Sequence, residues 1–325
     1  MGDQPPGRKP QSTNLEGCNH GKTYLIRLRP TPASSCGFLV IDKPAGCTSH
    51  DCVAIARRML AIRRVGHGGT LDPAVTGVLP LAVGPATRLL PYLDGTKAYV
   101  GWIQLGVSTN SDDLSGELIQ QTPWPKLERA ALEDVLLKFC GEQPQRPPNI
   151  SAVHVDGERA YKRARRGEQL EIAPRMVCIH HLQLIDWQAA EGRFAIEIRC
   201  SAGTYVRSLA RDIGAMLGCG AALAELRRTG ALGFELHQAI PLNQLTPQTP
   251  LVDPLIALGQ KPRRQLSHQE WQGWCRGQRL QPTGAADLNG TEVVIILRPD
   301  GSLAGLAHPT SSGELQPRVV FDAAG

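Results

Sequence analysis

The chain has 325 residues, 42% of them hydrophobic and 20% charged, with 35 basic against 30 acidic side chains and a formal net charge of +5. That length predicts one large domain with a sizeable core plus a smaller one, which excludes a peptide module. No apolar run reaches membrane-spanning length and the polar start lacks a signal-peptide core, so a soluble cytoplasmic protein without membrane contact is expected. The small excess of cations permits an anionic partner such as nucleic acid without requiring one. Nine cysteines with no C-x-x-C pair point to reduced thiols. The run CTSHDC, with Cys47, His50 and Cys52, lacks the second ligand pair of a zinc site, and no metal is expected.

Residues 1–36 are rich in Pro, Gly and polar side chains and predict a disordered extension. Order begins at GFLVIDKP, a short apolar strand ended by Pro44 and Gly46. Thr48 or Ser49 then caps a helix through Leu60, with Val53, Ala56, Met59 and Leu60 at helical spacing. Arg57, Arg58, Arg63 and Arg64 crowd its C-terminal end, where cations suit either the helix dipole or phosphates.

Next comes GHGGTLDPAVTGVLPLAVG, Gly66 to Gly84, which sets one carboxylate, Asp72, among glycines, a histidine and a proline. Pro73 disfavours α geometry at Asp72, so the acid sits in a stiff turn at the mouth of an apolar strand. That placement suits catalysis, and equally a structural turn capped by Asp72. Pro80 within the strand predicts an edge position or a bulge.

In KAYVGWIQLGV, Tyr99, Gly101, Ile103, Leu105 and Val107 alternate onto one strand face. Residues 126–139 carry Leu127, Ala131, Val135 and Phe139 four apart, a helix stopped by Gly141. RMVCIHHLQLIDWQ and RFAIEIRCS predict a hairpin with Phe194, Ile196, Ile198 and Cys200 on one face. A helix from about Thr204 to Leu217 follows, with Leu209, Ile213, Met216 and Leu217 apolar and Gly218 as its stop. A Pro-, Gln- and Thr-rich stretch from 245 to 262 marks a boundary, and the tail reads as a small β module built on EVVIILRPDGSLAGLA and RVVF.

Two further segments bear on chemistry. CSAGTYVRSLARDIG places Tyr205 and Arg207 at a helix start, where the planar guanidinium can hold a carboxylate or simply pair with Asp212. Within ISAVHVDGERAYKRARRGE, Arg159, Lys162, Arg163, Arg165 and Arg166 crowd the short stretch 158–166, where Glu158 is the one acid. Such a cluster is either a solvated face or a phosphate-contacting element, with Tyr161 and His154 as rings to stack on bases. The chain lacks G-x-x-x-x-G-K-[ST], G-x-G-x-x-G and G-x-S-x-G, which favours a cofactor-free reaction.

DKPAGCTSH, GHGGTLDPAVTGVL, KAYVGWIQLG, SAGTYVRSLARDIG and LRR at 226–228 together resemble, in order, the motifs of the TruB family of tRNA pseudouridine synthases. The resemblance spans about residues 37–230. It implies an α+β fold, a mixed and largely antiparallel sheet flanked by helices, with a small C-terminal β-rich PUA-like domain. The implied domains are 37–250, with an RNA-clamping thumb at about 146–175, and 262–325.

The implied activity is isomerisation of uridine 55 in the T-arm of tRNA, the uridine being flipped out of the folded RNA. By the same resemblance Asp72 is the nucleophile, Arg207 its cationic partner, and Tyr99 the ring that stacks on the base and assists loss of the C5 proton. His67 fills space near the flipped nucleotide, Tyr205 and Leu226 line the base pocket, and Arg163, Arg165 and Arg166 belong to the thumb. Lys43 and Pro44 take a structural role. No cofactor or metal and no obligate protein partner is implied, and a monomer binding tRNA is expected. Ile150 and His154 stand where the family has tyrosine and lysine, and Asn110 where it has aspartate. Two other readings use the same residues: a non-catalytic tRNA-binding or folding protein, and a hydrolase built on Asp72 and His67.

Overall fold

The computed structural model describes residues 36–151, 153–155, 157–160, 163, 166, 168, 172–282 and 293–321. The proposed extension, apart from Cys36, lies outside the described residues, as do Tyr161, Lys162 and Arg165.

Strand β1 (Gly37–Lys43) leads into helix α1 (Ser49–Leu60). Thr48 is the N-cap: its hydroxyl accepts the Asp51 N–H, and the Asp51 carboxylate accepts the Thr48 N–H, a reciprocal capping box. Strands β2 (Val65–His67), β3 (Thr76–Val83) and β4 (Lys97–Leu105) follow, then the small hairpin β5 (Val107–Thr109) and β6 (Leu118–Gln121). Helix α2 (Arg129–Leu137), strand β7 (Gly141–Gln145) and the two-residue strands β8 (His154–Val155) and β9 (Glu158–Arg159) come next. The expected hairpin is β10 (Arg175–Gln188) with β11 (Arg193–Cys200), leading to α3 (Val206–Met216) and β12 (Ala221–Ala231). Short strands β13 (Phe234–Glu235) and β14 (Ile240–Pro241) and helix α4 (Pro254–Ala257) precede the tail. The tail holds β15 (Arg263–Gln265), α5 (His268–Cys275), β16 (Val294–Leu297), β17 (Leu303–Pro309) and β18 (Leu315–Val320).

The main sheet runs β14-β1-β3-β12-β4-β11-β10-β7, with β2 beside β3 and β13 beside β12. Its pairs are antiparallel except β1 with β14 and β3 with β12. The expected α+β class with a largely antiparallel sheet is therefore what the chain adopts.

Alternation along β1 shows how the layers form. Leu39 and Ile41 face the core shared with α1, α2 and α3, whereas Phe38 and Val40 face a second core. That second core includes Val293, Ile295, Leu306, Val319 and Phe321, so the four-stranded tail sheet packs directly on the back of the main one. Arg88 ties the two together, donating to the Val320 carbonyl at 2.9 Å with its guanidinium over the Phe321 ring.

Three sequence expectations need correcting. Helix α2 buries Leu132 and Leu136, followed by Phe139, and leaves Ala131 exposed. A strict spacing of four drifts around a 3.6-residue turn, and the true stripe lies one residue on. Met216 is exposed at the end of α3 because the buried stripe ends with Ile213 and Gly214.

Pro80 lies in an interior strand, paired with Val40 of β1. On its other side β3 changes partner, from β12 at Thr76 and Gly77 to β2 at Leu81 to Val83. The Pro80 carbonyl accepts the Gly68 N–H there, so the missing N–H of the proline falls on the side where no ladder bond is required.

Candidate active site

Asp72 is held by the residues on either side of it. Ser49, the first residue of α1 and 1% exposed, accepts the Leu71 N–H at 2.8 Å and donates to the Leu71 carbonyl at 3.3 Å. Lys43, fully buried, donates to the carbonyls of Pro44, Cys47 and Pro73. The Gly46 N–H also reaches the Pro73 carbonyl, at 2.9 Å. DKPAGCTSH is thus the clamp on the turn that carries Asp72, and its lysine has no free donor to offer a ligand. Burial pulls the Lys43 ammonium below its ordinary pKa of 10.5.

The carboxylate meets a fixed cation. Arg207, in the first turn of α3, places Nη2 2.9 Å from Asp72 Oδ2, with Nη1 3.6 Å from Asp113 Oδ2. Nη1 also donates to the Ser111 carbonyl and Nη2 to the Ile150 carbonyl, each at 3.0 Å. Asp212, the alternative partner, pairs with Arg211 instead. Asp113 carried no motif signal of its own; its role comes from a loop that only the fold brings to α3.

Asp72 stands where two cavities meet. One, about 240 Å³, is lined by Lys97, Tyr99, Thr204, Tyr205, Arg207 and Leu226. The other, about 790 Å³, lies between Asp72, Trp102, Asp113 and the Leu223 to Arg227 stretch of β12. Asp72, Val75, Arg207 and Leu226 border both. Leu226 reaches the seam because its strand partner is Gly101, where a Cβ would lie 2.9 Å from the Leu226 side chain.

Tyr99 is buried in the smaller cavity, and burial pushes its phenol up to about 12. Directly across the sheet from it, in register, stands Arg228, fully buried, whose charge opposes that rise and whose guanidinium donates to the carbonyls of Val78 and Gly69. One buried cation therefore stands opposite the tyrosine and is anchored to the glycine turn three residues before Asp72. Gly77 is obligatory at this point: its φ is +102°, and a Cβ would lie 2.1 Å from the Arg228 carbonyl oxygen. Lys97, two residues before Tyr99, is a second cation on the cavity wall, with its pKa lowered chiefly by burial and next by Arg228. Neither Arg228 nor Lys97 stood out in the sequence as a site residue.

Tyr205 is the N-cap residue of α3, fixed by reciprocal bonds with the Gln145 side chain and lying under the Arg175 guanidinium. His67 is set apart from both cavities, edge-on to His50 with ring centroids 5.2 Å apart. Burial, then His50 and Arg228, hold its imidazole below the usual 6.5.

Residues 57–206 match the model of the TruB family pseudouridylate synthase N-terminal domain, and residues 207–252 match the tRNA pseudouridylate synthase B C-terminal domain. The chain belongs to the TruB family. It is 57% identical over 291 residues to tRNA pseudouridine synthase B of Parasynechococcus marenigrum (strain WH8102), covering 89% of this chain and 98% of that one. With tRNA pseudouridine synthase B of Synechococcus sp. (strain WH7803) it shares 56% over 298 residues, at the same coverage. The crystal structure of a Cbf5-Nop10-Gar1 complex contains a similar fold, with TM-score 0.66 and 25% identity over 90% of this chain and 84% of that one.

Within this TruB chain, Asp72, Tyr99 and Tyr205 fall in the N-terminal family segment, and Arg207 and Leu226 in the C-terminal one. The fold brings all five to one seam. The basic segment is less bare than its charges alone suggest: Arg163 pairs with Glu168 at 2.7 Å, and Arg166 pairs with both Glu158 and Glu168. Glu168 lies just past the run of cations. Asn110 accepts the Glu117 N–H and donates to the Glu117 carboxylate, closing the 110–117 loop. Ile150 offers its carbonyl to Arg207 and lines the larger cavity, while the His154 side chain lies outside the described residues.

Proposed function

We propose that the chain isomerises uridine to pseudouridine at position 55 in the T-arm of tRNA, with Asp72 as the nucleophile. The observation that carries this reading is the seam itself: a carboxylate 47% exposed, its cation 8% exposed, and a buried tyrosine lining the adjoining cavity. The reaction breaks the bond from C1′ to N1, turns the uracil and joins C1′ to C5, whose proton leaves. It is redox-neutral and calls for one positioned nucleophile and one group to help the proton depart. Asp72 supplies the first and Tyr99 the second.

A uridine in folded RNA must leave its stack to reach this depth, at a cost of a few kcal/mol that contacts to the base offset. The Tyr99 ring stacks on it, with Tyr205 and Leu226 closing the sides. Recognition then rests on the shape of the stem-loop and on its phosphates. Residues 146–175 form the thumb, through Arg163, Arg165 and Arg166, and the tail from 262 is a PUA-like RNA-binding domain on a catalytic domain of residues 37–250. The enzyme acts as a cytoplasmic monomer. The curated relatives' name, tRNA pseudouridine synthase B, supports tRNA as the substrate.

Incubating an unmodified tRNA transcript with the protein and mapping pseudouridine tests the proposal. Conversion at position 55 with unchanged RNA mass is expected. Free uracil or a broken chain would instead indicate a hydrolase.

A further inference from the structure

The run CTSHDC sets two thiols beside the clamp on the Asp72 turn. Cys47 and Cys52 occupy the positions before the Thr48 cap and in the second turn of α1, where two apolar side chains ordinarily pack against each other to fix the chain's entry into a helix. Here both are thiols, with Sγ atoms 3.8 Å apart. Cys52 is fully buried, whereas Cys47 is partly open to solvent and its thiol also lies 3.5 Å from the Pro44 carbonyl. An S–S bond is about 2.05 Å long, so closure calls for a movement of under about 2 Å in the pair.

Such a movement bears on Asp72. The backbone carbonyl of Cys47 accepts from Lys43 Nζ at 2.7 Å, and the same ammonium holds the Pro73 carbonyl at 3.2 Å. Gly46, next to Cys47, donates to that Pro73 carbonyl as well. The thiol pair and the nucleophile's turn thus hang on one buried cation.

We propose that Cys47 and Cys52 form a redox modification site, closing to a disulfide on exposure to a peroxide and slowing the reaction at Asp72 through Lys43. In the step, the Cys47 thiol is oxidised by hydrogen peroxide to a sulfenic acid with release of one water. The Cys52 sulfur then attacks Cys47 Sγ, its proton leaving with the hydroxyl as a second water. Two thiols and one peroxide give one disulfide and two waters. The accessible cysteine is the one attacked and the buried one resolves it.

The effect on rate rests on the proposed isomerase activity; the disulfide does not. The full-length protein is treated with hydrogen peroxide, then analysed by alkylation and peptide mapping, while release of tritium from C5-labelled T-arm RNA is followed in parallel. The expected result is loss of both thiols together with a mass decrease of about 2 Da. A fall in rate of about tenfold or more accompanies it, and dithiothreitol reverses both. Cys47→Ser and Cys52→Ser keep their rates under the same treatment, and Cys52→Ser stops at a sulfenic acid that dimedone traps on Cys47. Both thiols remaining alkylatable would overturn the proposal, as would a disulfide that leaves the rate unchanged. A reduced wild type that releases no tritium would defeat the isomerase reading instead, with the thiol result still deciding whether the pair closes.

Discussion

Asp72 Oδ2 and Arg207 Nη2 lie 2.9 Å apart, and the pair is lopsided: the guanidinium is buried and the carboxylate is half exposed. The cation is fixed by two carbonyls and a second acid, so its position does not depend on Asp72. The carboxylate keeps a solvent-facing side on the cavity seam. A nucleophile needs that freedom, and a purely structural ion pair does not.

Arg207→Met removes the donor for the Ser111 and Ile150 carbonyls as well as the partner of Asp72. Stability is expected to fall by about 2 kcal/mol, read by thermal denaturation. Single-turnover pseudouridine formation should slow by about 100-fold, close to 3 kcal/mol of transition-state stabilisation. Arg207→Lys keeps the charge but loses the planar fork, and should recover only part of the rate. Wild-type turnover in Arg207→Met would contradict this role.

Ser49→Ala deletes two hydrogen bonds to the residue preceding Asp72 and leaves the buried Leu71 N–H without its acceptor. A loss of about 1–2 kcal/mol is expected. The pocket walls remain, so tRNA affinity should hold while the single-turnover rate drops. Filter binding and quenched-flow kinetics separate the two, and a weakened affinity with an intact rate would place Ser49 in RNA binding instead.

His67 gives a pH signature. Its imidazole, facing His50 and Arg228, has a folded pKa below the 6.5 of the unfolded chain. Above about 6.5 both states are neutral and His67 contributes no pH dependence. As pH falls below that value the unfolded state takes up the proton first, so stability declines until the folded imidazole is protonated too. Acidification from about pH 8 to about pH 5 should therefore lower the melting temperature of the wild type more than that of His67→Asn. Equal losses would contradict the assignment.

Arg163 and Arg166 spend their charge on Glu158 and Glu168 at the surface, where such pairs are weak and easily exchanged for phosphates. Replacing Arg163, Arg165 and Arg166 together by alanine should weaken RNA binding and flatten its salt dependence, by about one in slope for each phosphate left without its cation. An unchanged slope would remove the segment from the RNA interface.

The readable parts of this chain were those set by local periodicity and by motif. Tyr99 heads a strand face whose alternation is visible residue by residue, and Asp72 announces itself through its glycines and proline. The hidden parts depend on partners brought from afar. Asp113 is ordinary locally, and Ser49 and Arg228 lie inside motifs that do not name their partners; all three matter because α3, α1 and β12 converge on one turn. A spacing of four only approximates 3.6, which shifts the buried stripe of α2 by one residue, and the interior place of Pro80 depends on strand neighbours that sequence does not show. Lys43 was readable as structural, and its three carbonyl bonds explain why.

If the Asp72 carboxylate carries the isomerisation, tritium release measures it most directly. T-arm RNA labelled at uridine C5 is incubated with the wild type and with Asp72→Asn, a change that keeps the side chain's shape and removes its charge. Release by the wild type, none by Asp72→Asn, and similar RNA affinity for both is the predicted result. Release by Asp72→Asn at the wild-type rate, or none by the wild type, would contradict it.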